Sequence, residues 1–208
     1  SSLSRGHGVL PIWQQRQIIR QMNQDVLEHF EEVVALSRRQ RAWTKGTPAL
    51  APAFPIEIEP RLPKHPPTLL LALPFMVFGE AERLLRVLVE DLTKRGWRIA
   101  IVTSTPPPSE AGDTIDWFLE NTAEVFRLTD GMPPSIWEEF LHHLVRTRYV
   151  DILWIVGSDL AYDALRTLRA IRPAMRVADL LFNTVGHTAN NRRYRGLIDI
   201  NFVESNEV

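Results

Sequence analysis

The chain has 208 residues, 45% of them hydrophobic and 24% charged, which is the composition of a soluble globular protein. Its formal net charge of −1 argues against a general positive field for nucleic acid or anionic membranes, and the absence of cysteine excludes disulfides, thiolate metal sites and cysteine nucleophiles. No apolar run approaches the ~20 residues that span a bilayer, and the first residues lack the apolar core of a secretory signal. We therefore expect a cytoplasmic protein, and peripheral contact with the inner face of the membrane stays compatible with that expectation.

The N-terminal region, residues 1–45, is predicted to contain one amphipathic helix over residues 11–43. Apolar side chains recur there every seven residues, and others widen the same stripe. The repeating positions are Ile12, Ile19, Val26 and Val33, and the widening ones are Met22, Phe30 and Leu36. The stripe can lie against the chain's own domain, or it can form a coiled-coil contact with a partner or a second copy. Self-association through residues 11–43 therefore remains open.

A proline-rich linker is predicted over residues 46–67. This segment holds seven of the fifteen prolines in the chain. Because proline lacks a backbone donor and restricts φ, we expect an extended connection and not a packed element.

From residue 68 to residue 208, apolar strands alternate with helical patterns. Strands are predicted at 68–73, 98–103, 125–128, 151–156, 175–181 and 198–203, and helices at about 80–95, 113–121, 136–148 and 159–171. In the first of these helices, one face carries Ala81, Leu84, Leu85, Leu88 and Leu92. The alternation predicts an α/β domain with a Rossmann-like parallel sheet of five to six strands and flanking helices.

Two turns of this domain carry candidate binding residues. Phe78, Gly79 and Glu80 join the first strand to the first helix, where backbone N–H groups and the helix dipole favour an anionic group. Ser158 and Asp159 follow the fourth strand and can reach the same crevice, although either can equally cap the next helix. The pattern Gly-x-Gly-x-x-Gly is absent, which argues against an NAD or FAD fold.

Polar residues also follow the fifth strand. Asn183 and His187 lie in the loop after it, where His187 could orient a hydroxyl or stabilise phosphate charge, or could be a surface histidine without a task. The basic run at 190–195 could attract an anionic acceptor, or could simply begin a solvated helix. His142 and His143 are adjacent and do not form the i, i+4 pair of a metal helix, so we predict no metal site and no cofactor.

The order of these motifs resembles the N-terminal domain of retaining glycosyltransferases of the GT-B type, family 4. The similarity rests on Pro74, on Gly79-Glu80-Ala81-Glu82-Arg83, and on Gly96-Trp97 before the second strand. The usual sequence of that turn in the family is Gly-Gly-Ala-Glu-Arg, so Glu80 replaces the second glycine. Glu82 and Glu90 have the Glu-x7-Glu spacing of those enzymes but lie outside its context, and we assign them no role.

The resemblance implies that residues 68–208 are the acceptor-binding half of a hexosyltransferase, active in polysaccharide biosynthesis. A second domain, absent here, would hold most of the nucleotide-sugar donor, and the acceptor would be a glycan or a lipid-linked sugar. The isolated chain would then be inactive, and its catalytic residues stay unknown. In those enzymes the fifth strand often ends in an Asp-x-x-His type sequence, and here Phe182 stands near the position of that histidine. This difference and the altered glycine keep a second hypothesis open, a non-catalytic interaction module of a polysaccharide-biosynthesis protein that docks through its leading helix. A domain binding a small nucleotide for another chemistry is a third.

Overall fold

A computed structural model of the chain describes residues 10–44, 65–108, 110, 112–182 and 188–203. Within these ranges the helices are α1 (Ile12–Thr44), α2 (Glu80–Lys94), α3 (Ile115–Leu119), α4 (Trp137–Thr147), α5 (Asp159–Ile171) and α6 (Thr188–Tyr194). The strands are β1 (Thr68–Leu73), β2 (Arg98–Thr103), β3 (Glu124–Arg127), β4 (Ile152–Ile155), β5 (Arg176–Leu181) and β6 (Ile200–Val203). Most of the predicted proline-rich linker lies outside the described residues.

The six strands form one sheet in the order β3-β2-β1-β4-β5-β6, and every neighbouring pair is parallel. All residues of β1 are buried, as expected for a central strand that is covered on both faces. The predicted Rossmann-like α/β fold is therefore confirmed. Successive strands are added outward from β1 on one side (β2, β3) and outward from β4 on the other (β5, β6), so the strand order has a topological switch point at the carboxyl ends of β1 and β4.

Each face of the sheet has its own apolar core. On one face, α2 and α3 pack over β1, β2 and β3; on the other, α4 and α5 pack over the strands and bury the larger cluster. The buried side of α2 is formed by Glu82, Leu85 and Val89, whereas Leu84 is half exposed. Of the predicted apolar face of α2, Leu85 is buried and Leu88 and Leu92 pack against the same core, whereas Leu84 lies beside the stripe that meets the sheet.

Helix α1 crosses the β3 edge of the sheet and contacts both cores. Its Leu27 is buried with α4 and α5, while Ile19 packs against the cluster around α2 and α3. Three arginine–carboxylate ion pairs, with N–O distances of 2.7–2.8 Å, connect α1 to the rest of the domain: Arg16–Glu120, Arg20–Asp116 and Arg38–Glu139. The long N-terminal helix is confirmed, and it lies against its own domain.

The predicted stripe of α1 is divided between two faces. Ile19 and Phe30 pack against the body, but five other members are 39–65% exposed: Ile12, Met22, Val26, Val33 and Leu36. Leu27, which contributes most to the contact, lies outside the seven-residue repeat. An apolar face of α1 thus remains in contact with solvent.

The connections after β3 differ in detail from the prediction. Leu128 begins a 3₁₀ turn, Leu128–Asp130, and a second one, Pro134–Ile136, precedes α4. The basic run at 190–195 overlaps α6 and the 3₁₀ turn Arg195–Leu197. Across the described part of the chain, no helix combines the length and the apolarity needed to cross a membrane.

Candidate functional site

A pocket lies at the switch point, where β1, β4 and β5 end and α2 begins. Its space of about 630 Å³ is partly open to solvent. The walls are mostly apolar and include two aromatic rings, and they consist of Leu73, Pro74, Phe75, Ala81, Glu82, Leu85, Val156, Gly157, Leu180, Leu181 and Phe182. This is the edge of an open α/β sheet at which ligands usually bind.

The β1–α2 connection is shaped by Pro74 and Gly79. Pro74 follows the last residue of β1, and its carbonyl accepts hydrogen bonds from the N–H groups of Ser104 and Thr105 at 3.2 and 2.8 Å, which ties it to the end of β2. Gly79 is extended and precedes α2, and no side chain caps the helix there. The first N–H groups of α2 therefore remain available near the pocket, because the initial turn of a helix lacks internal acceptors for them.

Of the three residues predicted in this turn, two point elsewhere. Phe78 is 60% exposed and meets the edge of Trp117, with ring centroids 5.2 Å apart. Glu80 is exposed and pairs with Arg83 at 3.3 Å on the surface of α2. None of Phe78, Gly79 and Glu80 lines the pocket, whose wall on this side is formed by the residues before and after them, Pro74, Phe75, Ala81 and Glu82.

The β4–α5 connection brings backbone to the opposite wall. Gly157 has φ of 68°, the left-handed region that glycine adopts without strain, and it lines the pocket. Ser158 is buried, and its hydroxyl accepts a hydrogen bond from the Ala161 N–H at 3.3 Å, so it caps α5. The Asp159 carboxylate accepts a hydrogen bond from the Asn190 amide at 2.6 Å. Both residues thus have structural tasks beside the pocket.

Asn183 and His187 lie outside the described residues. Leu181 and Phe182, which come just before them, line the same pocket as Ala81 and Glu82. The β1–α2 turn and the start of the loop after β5 are therefore at one end of the sheet.

A polar network surrounds the buried Asp179 of β5. The Tyr162 hydroxyl and the Asn191 amide each donate to Asp179 Oδ2 at 2.6 Å, and the Asn191 amide also donates to Asn201. Burial raises the pKa of Tyr162 far above its ordinary value of 10.0, and the hydrogen bond to Asp179 raises it further. The phenol therefore remains a donor, and the network joins α5, α6, β5 and β6.

Glu82 is the pocket residue to which the sequence analysis gave no role. It is only 8% exposed and it lines the pocket, and its carboxylate makes no hydrogen bond or ion pair with any residue in the described part of the chain. A methyl group added at Gly79 would come within 2.6 Å of its Oε2 atom, so the carboxylate lies against the turn. One signal could have identified it: Glu82 is three and seven residues before Leu85 and Val89, on the buried side of α2.

The arrangement can recognise a ligand that has both apolar faces and polar groups. Phe75 and Phe182 offer rings, Glu82 offers acceptors, and the start of α2 offers backbone donors. No cluster of three or more histidine, aspartate or glutamate residues in the described ranges could hold a metal ion. No family model matches the chain, and no curated protein sequence matches it.

Proposed function

We propose that residues 68–208 are the acceptor-side domain of a two-domain, retaining glycosyltransferase that uses a nucleotide-sugar donor. The observation that carries the proposal is the pocket at the β1/β4 switch point, which lies beside the Gly79 turn. The sequence of that turn resembles the corresponding turn of family 4 glycosyltransferases. The pocket is lined by aromatic and apolar groups with one carboxylate, which suits the C–H faces and hydroxyls of a sugar.

The openness of the pocket explains why a second domain belongs to the proposal. The walls come from one sheet edge and leave the site open to solvent. Group transfer to a hydroxyl requires donor and acceptor to be aligned, and it requires water to be excluded from the reacting atoms. A facing lobe that binds the donor would supply both conditions, and we place the nucleotide site there.

The test is an assay of the complete gene product and of this 208-residue chain with a panel of nucleotide sugars and oligosaccharide acceptors. We expect the complete product to transfer sugar with retention of the anomeric configuration, and the chain alone to show no turnover. Sugar transfer by the chain alone would refute the division of labour between two lobes. A complete product without a second βαβ domain would refute the assignment itself.

A second candidate is a non-catalytic interaction module, and the exposed face of α1 favours it. Ile12, Met22, Val26, Val33 and Leu36 are all exposed along one helix, which is already fixed to the body through other residues. Such a stripe has the periodicity of a coiled-coil contact.

Sedimentation equilibrium of the chain tests the second candidate. The module hypothesis expects concentration-dependent association that is lost in the double variant Val33→Glu, Leu36→Glu and retained in Gln17→Glu, an exposed control on another side of α1. A monomer at every concentration would argue against association through α1, and it would leave the glycosyltransferase proposal unaffected.

A further inference from the structure

We propose that the switch-point pocket is a subsite for a neutral, hydroxyl-rich ligand, in which the Glu82 carboxylate accepts hydrogen bonds from the ligand's hydroxyl groups. The identification of that ligand as a sugar acceptor rests on the function proposed above, but the hydroxyl recognition does not. The inference begins from Glu82, a carboxylate that the fold buries without giving it a partner in the described part of the chain.

The cost of burying Glu82 points to a ligand. Glu82 has little contact with water, so its carboxylate loses part of its hydration, and proteins normally compensate such a loss with hydrogen bonds or an opposite charge. The nearest arginine in sequence, Arg83, pairs with Glu80 on the exposed surface and does not serve Glu82. The remaining direction for the Glu82 oxygens is the pocket that its side chain lines.

The surroundings of Glu82 select the chemistry of that ligand. The first turn of α2 carries N–H donors without a side-chain cap, so the pocket presents donors and an acceptor close together. A phosphate would satisfy the donors and be repelled by the carboxylate. An ammonium group would satisfy the carboxylate and be opposed by the positive end of the helix. A hydroxyl group both donates and accepts, and it suits the whole set.

The aromatic walls are consistent with the same ligand. Phe75 and Phe182 both line the pocket with Glu82, and flat apolar rings pack against the C–H faces of a sugar ring. A pocket at a helix N-terminus usually binds anions. Here the negative charge of Glu82 would repel phosphate and make the pocket discriminate against it. This position would favour the acceptor over the diphosphate of a donor.

The experiment is an NMR titration of the ¹⁵N-labelled chain, following the amides of Ala81 and Gly157. The probes are methyl α-glucopyranoside, inorganic phosphate and methylammonium, and the variants are Glu82→Gln and the matched control Glu80→Gln, which changes the same charge on an exposed residue of the same turn. We expect saturable shifts with the glucoside in the wild-type chain and in Glu80→Gln. Glu82→Gln should weaken glucoside binding by about tenfold, since hydrogen bonds to a charged acceptor are replaced by weaker ones to a neutral amide oxygen.

Phosphate provides a reciprocal readout in the same titration. It should leave the wild-type amides unshifted and shift them in Glu82→Gln, because removing the carboxylate exposes the positive helix end. Gly79→Ala is a second perturbation, since its methyl group would displace the Glu82 carboxylate, and it should also weaken glucoside binding. Circular dichroism of each variant verifies that the fold is retained.

Several results would overturn the inference. The glucoside could fail to shift these amides, or it could bind Glu82→Gln as well as it binds the wild-type chain. Phosphate could bind the wild-type chain at the same amides. Methylammonium could be the one probe whose binding depends on Glu82. The glycosyltransferase proposal fails separately. If the chain binds the glucoside but the complete gene product transfers no sugar, the glycosyltransferase proposal is refuted and the hydroxyl-binding subsite stands. If sugar transfer is unaffected by Glu82→Gln, the role of Glu82 in the subsite is refuted and the glycosyltransferase proposal stands.

Discussion

At the scale of single residues, the sheet holds a polar network where a core would normally be apolar. Asp179 is fully buried in β5, and Tyr162 and Asn191 both donate to the same oxygen of its carboxylate. Buried polar groups stabilise a fold only when their partners are present, because the desolvated group otherwise keeps its penalty. The network therefore fixes α5 and α6 against β5.

Replacing Tyr162 by phenylalanine should lower the free energy of unfolding by about 1–3 kcal/mol, since a buried acceptor loses a donor. Urea denaturation followed by circular dichroism measures this change. The matched control is Tyr194→Phe, which removes a 2.6 Å hydrogen bond to the exposed Asp163. We expect the control to change stability by less than half as much, and equal effects of the two variants would show that burial of the network contributes nothing.

His143 should make stability depend on pH in a defined direction. Burial lowers the pKa of His143 below its ordinary value of 6.5, and the charge of Arg148 lowers it further. The unfolded chain then binds a proton at higher pH than the folded chain, so stability rises with pH through this range and is lost as pH falls below roughly 6.5.

Urea denaturation between about pH 5 and 8 checks the His143 prediction. The variant His143→Gln is the reference, and the difference between its stability and that of the wild-type chain should grow in favour of the variant as pH falls. A difference that stays constant with pH would contradict the lowered pKa.

At the scale of elements, α1 shows how one helix can serve two surfaces. Its inner side is held by Leu27, by partly buried Phe30 and by ion pairs at both ends, and its outer side carries exposed apolar groups. Exposed ion pairs contribute little individually, so the apolar contact should account for most of the attachment.

Leu27→Ala should therefore cost about 2–5 kcal/mol of stability, the range for a large-to-small change in a core. Met22→Ala, on the exposed side of the same helix, should change stability by less than about 0.5 kcal/mol. Chemical denaturation of both variants provides the comparison. A similar loss in both, or in neither, would mean that α1 does not attach through Leu27.

At the scale of the whole molecule, the single sheet connects the two apolar cores and α1. Its two faces carry separate cores, but both cores use β1 and β4, whose residues alternate between them. α1 contacts both cores as well. A disturbance of either face is therefore shared by the central strands.

This connection predicts a single unfolding transition for the body and α1. Urea curves recorded by far-ultraviolet circular dichroism and by tryptophan fluorescence should coincide, since neither core can open without the shared strands. An earlier transition that removes helical signal alone would show that α1 melts independently of the sheet.

Local patterns determined most of the fold that was predicted. The continuous apolar run of β1 and the helical periodicity of residues 11–43 are properties of neighbouring residues, so the elements and the parallel α/β class followed from them. The position of Gly79 at the β1–α2 turn was readable for the same reason. Of the predicted pocket residues, Phe78 and Glu80 turned outward, because the direction of a side chain in a turn depends on what packs around it.

What only the tertiary structure decided involves contacts between distant parts of the chain. Strand order, the choice of Leu27 as the inner side of α1, and the pairing of Tyr162 with Asp179 each join segments that local periodicity treats separately. Glu82 is the clearest case, since its charge suggests a surface residue and its neighbours in space bury it. Burial is a property of the assembled fold, and for that reason the pocket carboxylate emerged only when β1, β4 and β5 were brought to one edge.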